Sequence, residues 1–238
     1  NNFDLNLLSQ RKYICLPREP LVLKNWEKYN LPTGYTYENI IHAVTNPQFI
    51  DKNYDFLNEL EYKQHNNNFS AIISNKSNGP GYQLRREFLI SMSKKYPTLC
   101  DIYGSGWGNE LGTAYKGQLD GYHKQSPNIK SNTKYSGLIN YKYSLCIENC
   151  NRNNYFSEKF TDAILCWTMP IYYGCTNIEE YFPKDCYHLV DITSPDSLEK
   201  IKEIVSRPLT EINIQAIAEA RNLILNKYNI WSVIETKL

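Results

Sequence analysis

The stretch ENCNRNNYFSEK at residues 148–159 gathers side chains that could do chemistry. Glu148 and Asn149 open it, Tyr155 sits past its middle, and Ser157, Glu158 and Lys159 close it. The apolar YKYSLCI before it predicts a strand. The segment 157–167 predicts a helix, with Phe160, Ala163, Ile164 and Trp167 at i, i+3, i+4 and i+7. Between a strand's C-terminal end and a helix N-terminus, unpaired backbone N–H groups and the helix dipole favour an anion, and a phosphate would fit there. Ser157 suits an N-cap, and Glu158 complements the dipole as first-turn acids ordinarily do. Lys159 does neither. A cation in the first turn opposes the dipole at a cost of roughly a few tenths of a kcal/mol, a sign that a bound phosphate would reverse.

A second cationic pair, Arg85 and Arg86, follows the Gly79-Pro80-Gly81 turn on the next well-formed helix. A guanidinium can bind a diphosphate through two N–H groups at once. The helical spacing lets one of the two point across the sheet edge while the other faces solvent; two solvated arginines are the competing interpretation. Other chemistries lack their motifs: the chain has no G-x-x-x-x-G-K-[ST] loop, G-x-G-x-x-G fingerprint, G-x-S-x-G elbow, H-E-x-x-H pair or D-x-D metal pair. His42, His65, His123 and His188 are scattered without a partner pattern. A departing diphosphate would therefore have to be neutralised by side-chain cations, and neither metal nor cofactor is expected.

The elements that must position these residues alternate. FSAIISN, CDIYGSGW, YKYSLCIEN, IYYG and CYHLVDI read as strands, while QLRREFLISMSKKY (Leu84, Phe88 and Met92 on one face), 157–167 and SPDSLEKIKEIVS read as helices. Such alternation predicts a parallel sheet covered on both faces, an α/β doubly wound domain of nucleotide-binding type. Upstream, KYICL (12–16) predicts a short strand ending at Pro17, which places Glu19 just past a strand end, where open sheets put their sites. YENIIHAV (37–44) fits either strand or helix, and 51–68 fades into a polar run that reads as a linker. We expect an N-terminal α/β part at 1–68, a Rossmann-like domain at 69–210 and a helical tail at 211–238. The polar region 109–136 is long for a structureless loop and is expected to be functional or mobile.

With 238 residues and 42% hydrophobic content the chain can bury a sizeable core. Its 26 basic and 25 acidic residues leave no net field to attract nucleic acid or a membrane surface. Seven cysteines without a CxxC pair predict free thiols in a reducing, cytoplasmic compartment. No run of 18 apolar residues occurs, and the missing initial Met leaves a removed leader, or a Golgi or membrane-anchored parent chain, as the alternative.

The segment YKYSLCIENCNRNNYFSEKFTDAILCWTMPIYYG resembles the donor-binding motif of the α-1,3-fucosyltransferases, a family-10 glycosyltransferase group: a Y-K-[FY] strand, E-N, a short loop, Y-x-[ST]-E-K, a helix, then P-[IV]-x-x-G. Glu148, Asn149, Tyr155, Glu158, Lys159, Pro170 and Gly174 carry the resemblance, which extends more weakly from AIISNKSNGPGYQLRREF to about residue 205. It implies a GT-B-like architecture, in which a Rossmann-type donor domain is preceded here by a short or truncated N-terminal part, and inverting, metal-independent transfer from GDP-fucose to a glycan acceptor. By the same resemblance Lys159 and Arg85 would bind the diphosphate, Glu158 the ribose hydroxyls, and Asn149 and Tyr155 would line the donor site. Arg85 is preferred to Arg86 because Phe88 completes an R-x-x-F pattern. Glu19, in KYICLPREP, would be the general base, with Glu38, Glu59 and Glu61 in reserve. A different nucleotide sugar, or a non-catalytic nucleotide- or carbohydrate-binding module, would fit the same frame. About 68 residues are too few for a full N-terminal Rossmann domain, so a trimmed chain, a piece of a multidomain protein or a reduced member is expected.

Overall fold

A computed structural model describes Ile50, residues 52–119, residues 133–229 and Ser232. KYICL and YENIIHAV lie outside the described residues. Six parallel strands form one sheet in the order β3-β2-β1-β4-β5-β6. They are β1 (Asn67–Ile72), β2 (Asp101–Tyr103), β3 (Tyr115–Gly117), β4 (Tyr141–Arg152), β5 (Met169–Cys175) and β6 (His188–Leu189). Phe69 pairs with Tyr143 and Ala71 with Leu145 across β1 and β4, and Leu145 pairs with Ile171 across β4 and β5. β4 is buried without a break from Tyr143 to Asn149, as expected of a central strand covered on both faces.

The helices are α1 (Tyr54–Glu59), α2 (Pro80–Lys95), α3 (Ser136–Ile139), α4 (Glu158–Leu165), α5 (Ser197–Ser206) and α6 (Glu211–Asn226). The connection from β1 through α2 reaches β2 on one side, and that from β4 through α4 reaches β5 on the other. Since such crossovers are right-handed, α2 and α4 cover opposite faces. The order 3-2-1-4-5-6 is that of the dinucleotide-binding sheet, with its switch point between β1 and β4, where the chain turns outward in two directions. Ligands of open α/β sheets bind outside the strand ends at that point.

Several elements differ from the sequence expectation, among them β3, which lies inside the poorly patterned 109–136 region, and α4, which ends at Leu165 short of Trp167. The segment taken for a linker contains α1: Asn53 caps it by accepting from Phe56 N at 2.8 Å, and Leu57 is fully buried. It holds because tertiary groups take up its terminal carbonyls. Arg221 of α6 donates to Leu57 and Leu60 O, and Trp167 Nε1 donates to Leu60 O at 2.8 Å. β6 is only two residues long although the apolar run CYHLVDI is longer. Just past it Val190 N still donates to Tyr172 O of β5 at 3.0 Å, Tyr187, Val190 and Ile192 are buried at the sheet edge, and Leu189 is 55% exposed. β4, by contrast, continues three residues past Asn149, and after a register shift Arg152 pairs with Cys175. Among the described residues no helix is long and apolar enough to cross a membrane.

Candidate active site

α2 and β4 meet through a glycine. A Cβ on Gly81 would sit 1.7 Å from the carbonyl oxygen of Asn149, so only glycine lets the first turn of α2 lie directly on the C-terminal end of β4. One turn further along, Arg85 is buried between them, with its guanidinium 4.7 Å from the centre of the Tyr82 ring. Arg85 Nη1 donates to Ile147 O at 3.4 Å, and Asn149 Nδ2 donates to the Tyr82 hydroxyl at 3.3 Å. Arg85 Nε and Asn149 Oδ1 are both buried with no hydrogen-bond partner. An orphan donor and an orphan acceptor at one strand end are unusual, because each costs about 1–3 kcal/mol unless something else satisfies it. Burial pushes the Arg85 pKa below its ordinary value, and Tyr82, Glu148, Tyr155 and Glu158 pull it back up. Arg86 points elsewhere, donating from Nε to Asn75 Oδ1 at 2.6 Å and pairing with Glu110 at 3.4 Å. Arg85 is thus the one that reaches the end of β4, whereas Arg86 is half-buried and held by Asn75 and Glu110 instead of facing solvent as expected.

On the other side of Asn149, β4 carries Glu148, whose side chain is wholly buried. Room for it comes from β5: a Cβ on Gly174 would approach Glu148 Cγ to 2.3 Å. Glu148 Oε1 accepts from Ser157 N at 2.7 Å and Oε2 accepts from Ser157 Oγ at 2.6 Å. Lys159 Nζ donates to Ser157 Oγ at 3.0 Å and to Glu158 Oε1 at 3.2 Å, and lies 3.4 Å from Glu148 Oε2. Ser157 also caps α4, accepting from Lys159 N at 3.4 Å. The unfavourable placement of Lys159 on the helix dipole is thus balanced by two carboxylates of the protein itself. Burial works against its charge, but Glu148 and Glu158 outweigh that and raise its pKa. The Glu148 pKa is also raised, in its case by burial, with Lys159 and Ser157 opposing. Lys134, in a stretch too poorly patterned to single it out from sequence, pairs with Asp162 of α4 at 2.5 Å and adds positive potential at Glu158.

Of the run CNRNN, the first three residues belong to β4, and Asn153 and Asn154 just past it serve as a clamp. Asn154 adopts φ 59°, a left-handed conformation that asparagine tolerates better than most residues. Its Oδ1 accepts from Asn177 Nδ2 at 2.7 Å and from Tyr181 OH at 2.6 Å, while its N–H donates to Asn177 Oδ1 at 2.8 Å. Thr176 donates to Asn153 beside it. The turn so fixed delivers Tyr155 and Phe156 to the interior, where Phe156 packs on Tyr181, Phe182 and Tyr228.

The structure therefore brings Arg85, Asn149, Tyr155, Glu158 and Lys159 to the C-terminal end of β4 beside the switch point. Glu19 and Glu38 lie outside the described residues. Glu59 and Glu61 are exposed and flank Leu60, which is bonded to Trp167 just past the C-terminal end of α4, the end opposite Lys159. Glu148 has no job that the sequence alone assigns; an acidic residue inside an otherwise apolar strand is the signal that could have found it.

Residues 62–209 match the family described as glycosyltransferase family 10 (fucosyltransferase), C-terminal part. The chain belongs to glycosyltransferase family 10. Similar curated proteins include an alpha-(1,3)-fucosyltransferase of Helicobacter pylori, 27% identical over 129 residues, which are 54% of this chain and 22% of that protein. Another is a 4-galactosyl-N-acetylglucosaminide 3-alpha-L-fucosyltransferase of Gorilla gorilla gorilla, 30% identical over 105 residues, which are 40% of this chain and 29% of that protein. The chain thus spans less than a third of the length of these curated relatives. Solved structures that resemble it include an α1,3-fucosyltransferase with GDP-fucose (19% identity, TM-score 0.41, 80% of this chain and 49% of that one). An α1,3-fucosyltransferase with GDP gives 18% identity, TM-score 0.43, and 84% and 61% coverage. The family-10 match contains all five of the converging residues and not Glu19.

One consequence of the site's electrostatics can be measured without any ligand. Burial alone would raise the Glu158 pKa, but Lys159 and Lys134 hold it down at about 2 against an ordinary 4.5. A depressed carboxylate contributes stability that is fully present above its ordinary pKa and is lost as pH falls toward the depressed one. We expect the melting temperature of wild type to exceed that of Glu158→Gln near neutral pH, with the gap closing as pH drops below about 4.5. A gap that stays constant down to pH values near 2 would contradict this charge arrangement.

Proposed function

We propose that the chain forms the donor-binding part of a fucosyltransferase that moves L-fucose from GDP-fucose to a hydroxyl of a glycan acceptor. The family-10 match supports this, and the observation that carries it is the convergence of Arg85, Asn149, Tyr155, Glu158 and Lys159 at the switch point of the sheet. In this reading Arg85 and Lys159 face the diphosphate and stabilise the charge that develops on it as the glycosidic bond breaks. The unpartnered Nε of Arg85 is a donor available to a phosphate oxygen, and the unpartnered Oδ1 of Asn149 is an acceptor for a donor group of the nucleotide sugar. Glu158, ionised across the physiological range, accepts from the ribose hydroxyls, and Tyr155 lines the site. Glu19 takes the proton of the acceptor hydroxyl as that oxygen attacks the anomeric carbon from the face opposite the departing GDP, which inverts the centre. With two side-chain cations on the leaving group, the transfer proceeds without a divalent metal.

Thermal-shift titration of the whole chain tests the donor assignment. A ligand that binds only the folded state at a hundredfold its Kd stabilises by about 2.7 kcal/mol, which for a chain of this size is a shift of roughly 5–10 °C. GDP should give such a shift and UDP should not. A response to UDP instead would move the site to a different nucleotide sugar, and no response to either would overturn the donor site.

A further inference from the structure

We propose that Glu148 is a positioning residue that competes with the donor's diphosphate for Lys159, and so limits how tightly the site holds a nucleoside diphosphate. This rests on the donor-binding role proposed above. An ammonium has three N–H donors, and Lys159 Nζ already has three acceptors around it: Ser157 Oγ at 3.0 Å, Glu158 Oε1 at 3.2 Å and Glu148 Oε2 at 3.4 Å. An arriving diphosphate oxygen must displace one of them or share with it. The Glu158 side chain is 39% exposed, so it can swing into water, and its field is screened. Glu148 has no such freedom. Its side chain is 0% exposed, β5 closes on it at Gly174, and both Ser157 N–H and Ser157 Oγ donate to it. Its charge therefore acts on Lys159, and on any anion beside Lys159, at short range through little solvent.

Two roles for Glu148 predict opposite outcomes when the charge alone is removed. If Glu148 only holds the loop, Glu148→Gln loosens the cap of α4 and weakens binding. If it also competes for the cation, the same change releases Lys159 and removes a negative charge from beside the diphosphate, so binding tightens. In Glu148→Gln the side-chain amide oxygen can still accept from Ser157 N–H, so the strand-to-loop bond survives the change.

Isothermal titration of GDP into the full chain, wild type against Glu148→Gln, decides between them. We expect Kd for GDP to fall about tenfold in the variant, equivalent to about 1.4 kcal/mol, with inorganic pyrophosphate changing in the same direction. In steady-state assays the donor KM should fall with it, and kcat should not rise, because the product GDP leaves more slowly. If Glu148→Gln does not fold, Glu148→Asp retains the charge but draws it back from Lys159, and a Kd below that of wild type supports the proposal. Equal or weaker GDP binding in the folded variant overturns the role of Glu148 while leaving the donor site standing. Wild type that binds neither GDP nor pyrophosphate overturns both.

Discussion

Gly81→Ala is expected to lower stability by about 3 kcal/mol and to abolish the GDP-induced thermal shift. The added methyl would lie 1.7 Å from a backbone carbonyl oxygen, that of Asn149, and no side-chain rotation can relieve a clash between a Cβ and a main-chain atom. The first turn of α2 has to lift away from β4 by about 1 Å or more, and overpacking of this kind typically costs about 1–3 kcal/mol, occasionally more. The upper part of that range applies because α2 also carries Phe88, Leu89 and Met92 into the core, so the displacement is not confined to the turn. Arg85, one turn downstream, would lose its 3.4 Å bond to Ile147 O and its alignment with Asn149. At roughly 2–4 °C per kcal/mol for a chain of this size, the melting temperature should drop by about 6–12 °C. A variant that melts within about 1 °C of wild type would show that α2 does not rest on β4 in the way described.

Lys159→Met should lose more than tenfold in GDP affinity and also destabilise the unliganded protein by about 2 kcal/mol. From sequence, Lys159 is a first-turn cation that opposes the helix dipole, so its removal would not be expected to cost stability. The structure reverses that expectation. Its side chain is only 19% exposed, and it is the cation facing a completely buried carboxylate, Glu148. Removing one partner of a buried pair costs about 3–5 kcal/mol when the other is left unsatisfied. Here the cost is smaller, since Ser157 still gives Glu148 two hydrogen bonds and the ammonium is partly solvated. The double variant Glu148→Gln/Lys159→Met isolates the coupling: it should regain at least half of the lost stability, because no buried charge is left without a counterion, yet it should regain GDP affinity only in part, since the buried negative charge is gone but so is the cation. Purely additive stability losses would mean that the ion pair contributes nothing to the fold.

The first prediction depends on a contact between residues far apart in the chain and the second on the burial of a pair within one strand-to-helix stretch, and this separates what was legible in the sequence from what was not. The alternating strands and helices, the position of the 148–159 loop at a strand end, and Ser157 as cap of α4 follow from patterns within a few residues. So does the divergence of Arg85 and Arg86, one helical step apart, though not the pairing of Arg86 with Asn75 and Glu110. Where local pattern misled, a distant partner was the reason. Residues 54–59 are polar enough to pass for linker and become helix because Arg221 and Trp167 take up the carbonyls around them. Asn154 and Asn177 look like surface residues in an Asn-rich sequence and prove to be a reciprocal pair.

By itself, then, the sequence determined the parallel α/β architecture and which residue types stand at the strand end beside the switch point, since periodicity and capping act through neighbours three or four positions apart. Only the tertiary structure decided the charge state and the availability of those residues. Whether Lys159 is a free cation or a paired one, whether Arg85 Nε and Asn149 Oδ1 are satisfied, and what Glu148 is for all depend on burial and on partners that only folding brings into contact. The strength of a charge or a hydrogen bond is set by how much water surrounds it, and that is a property of the packed molecule.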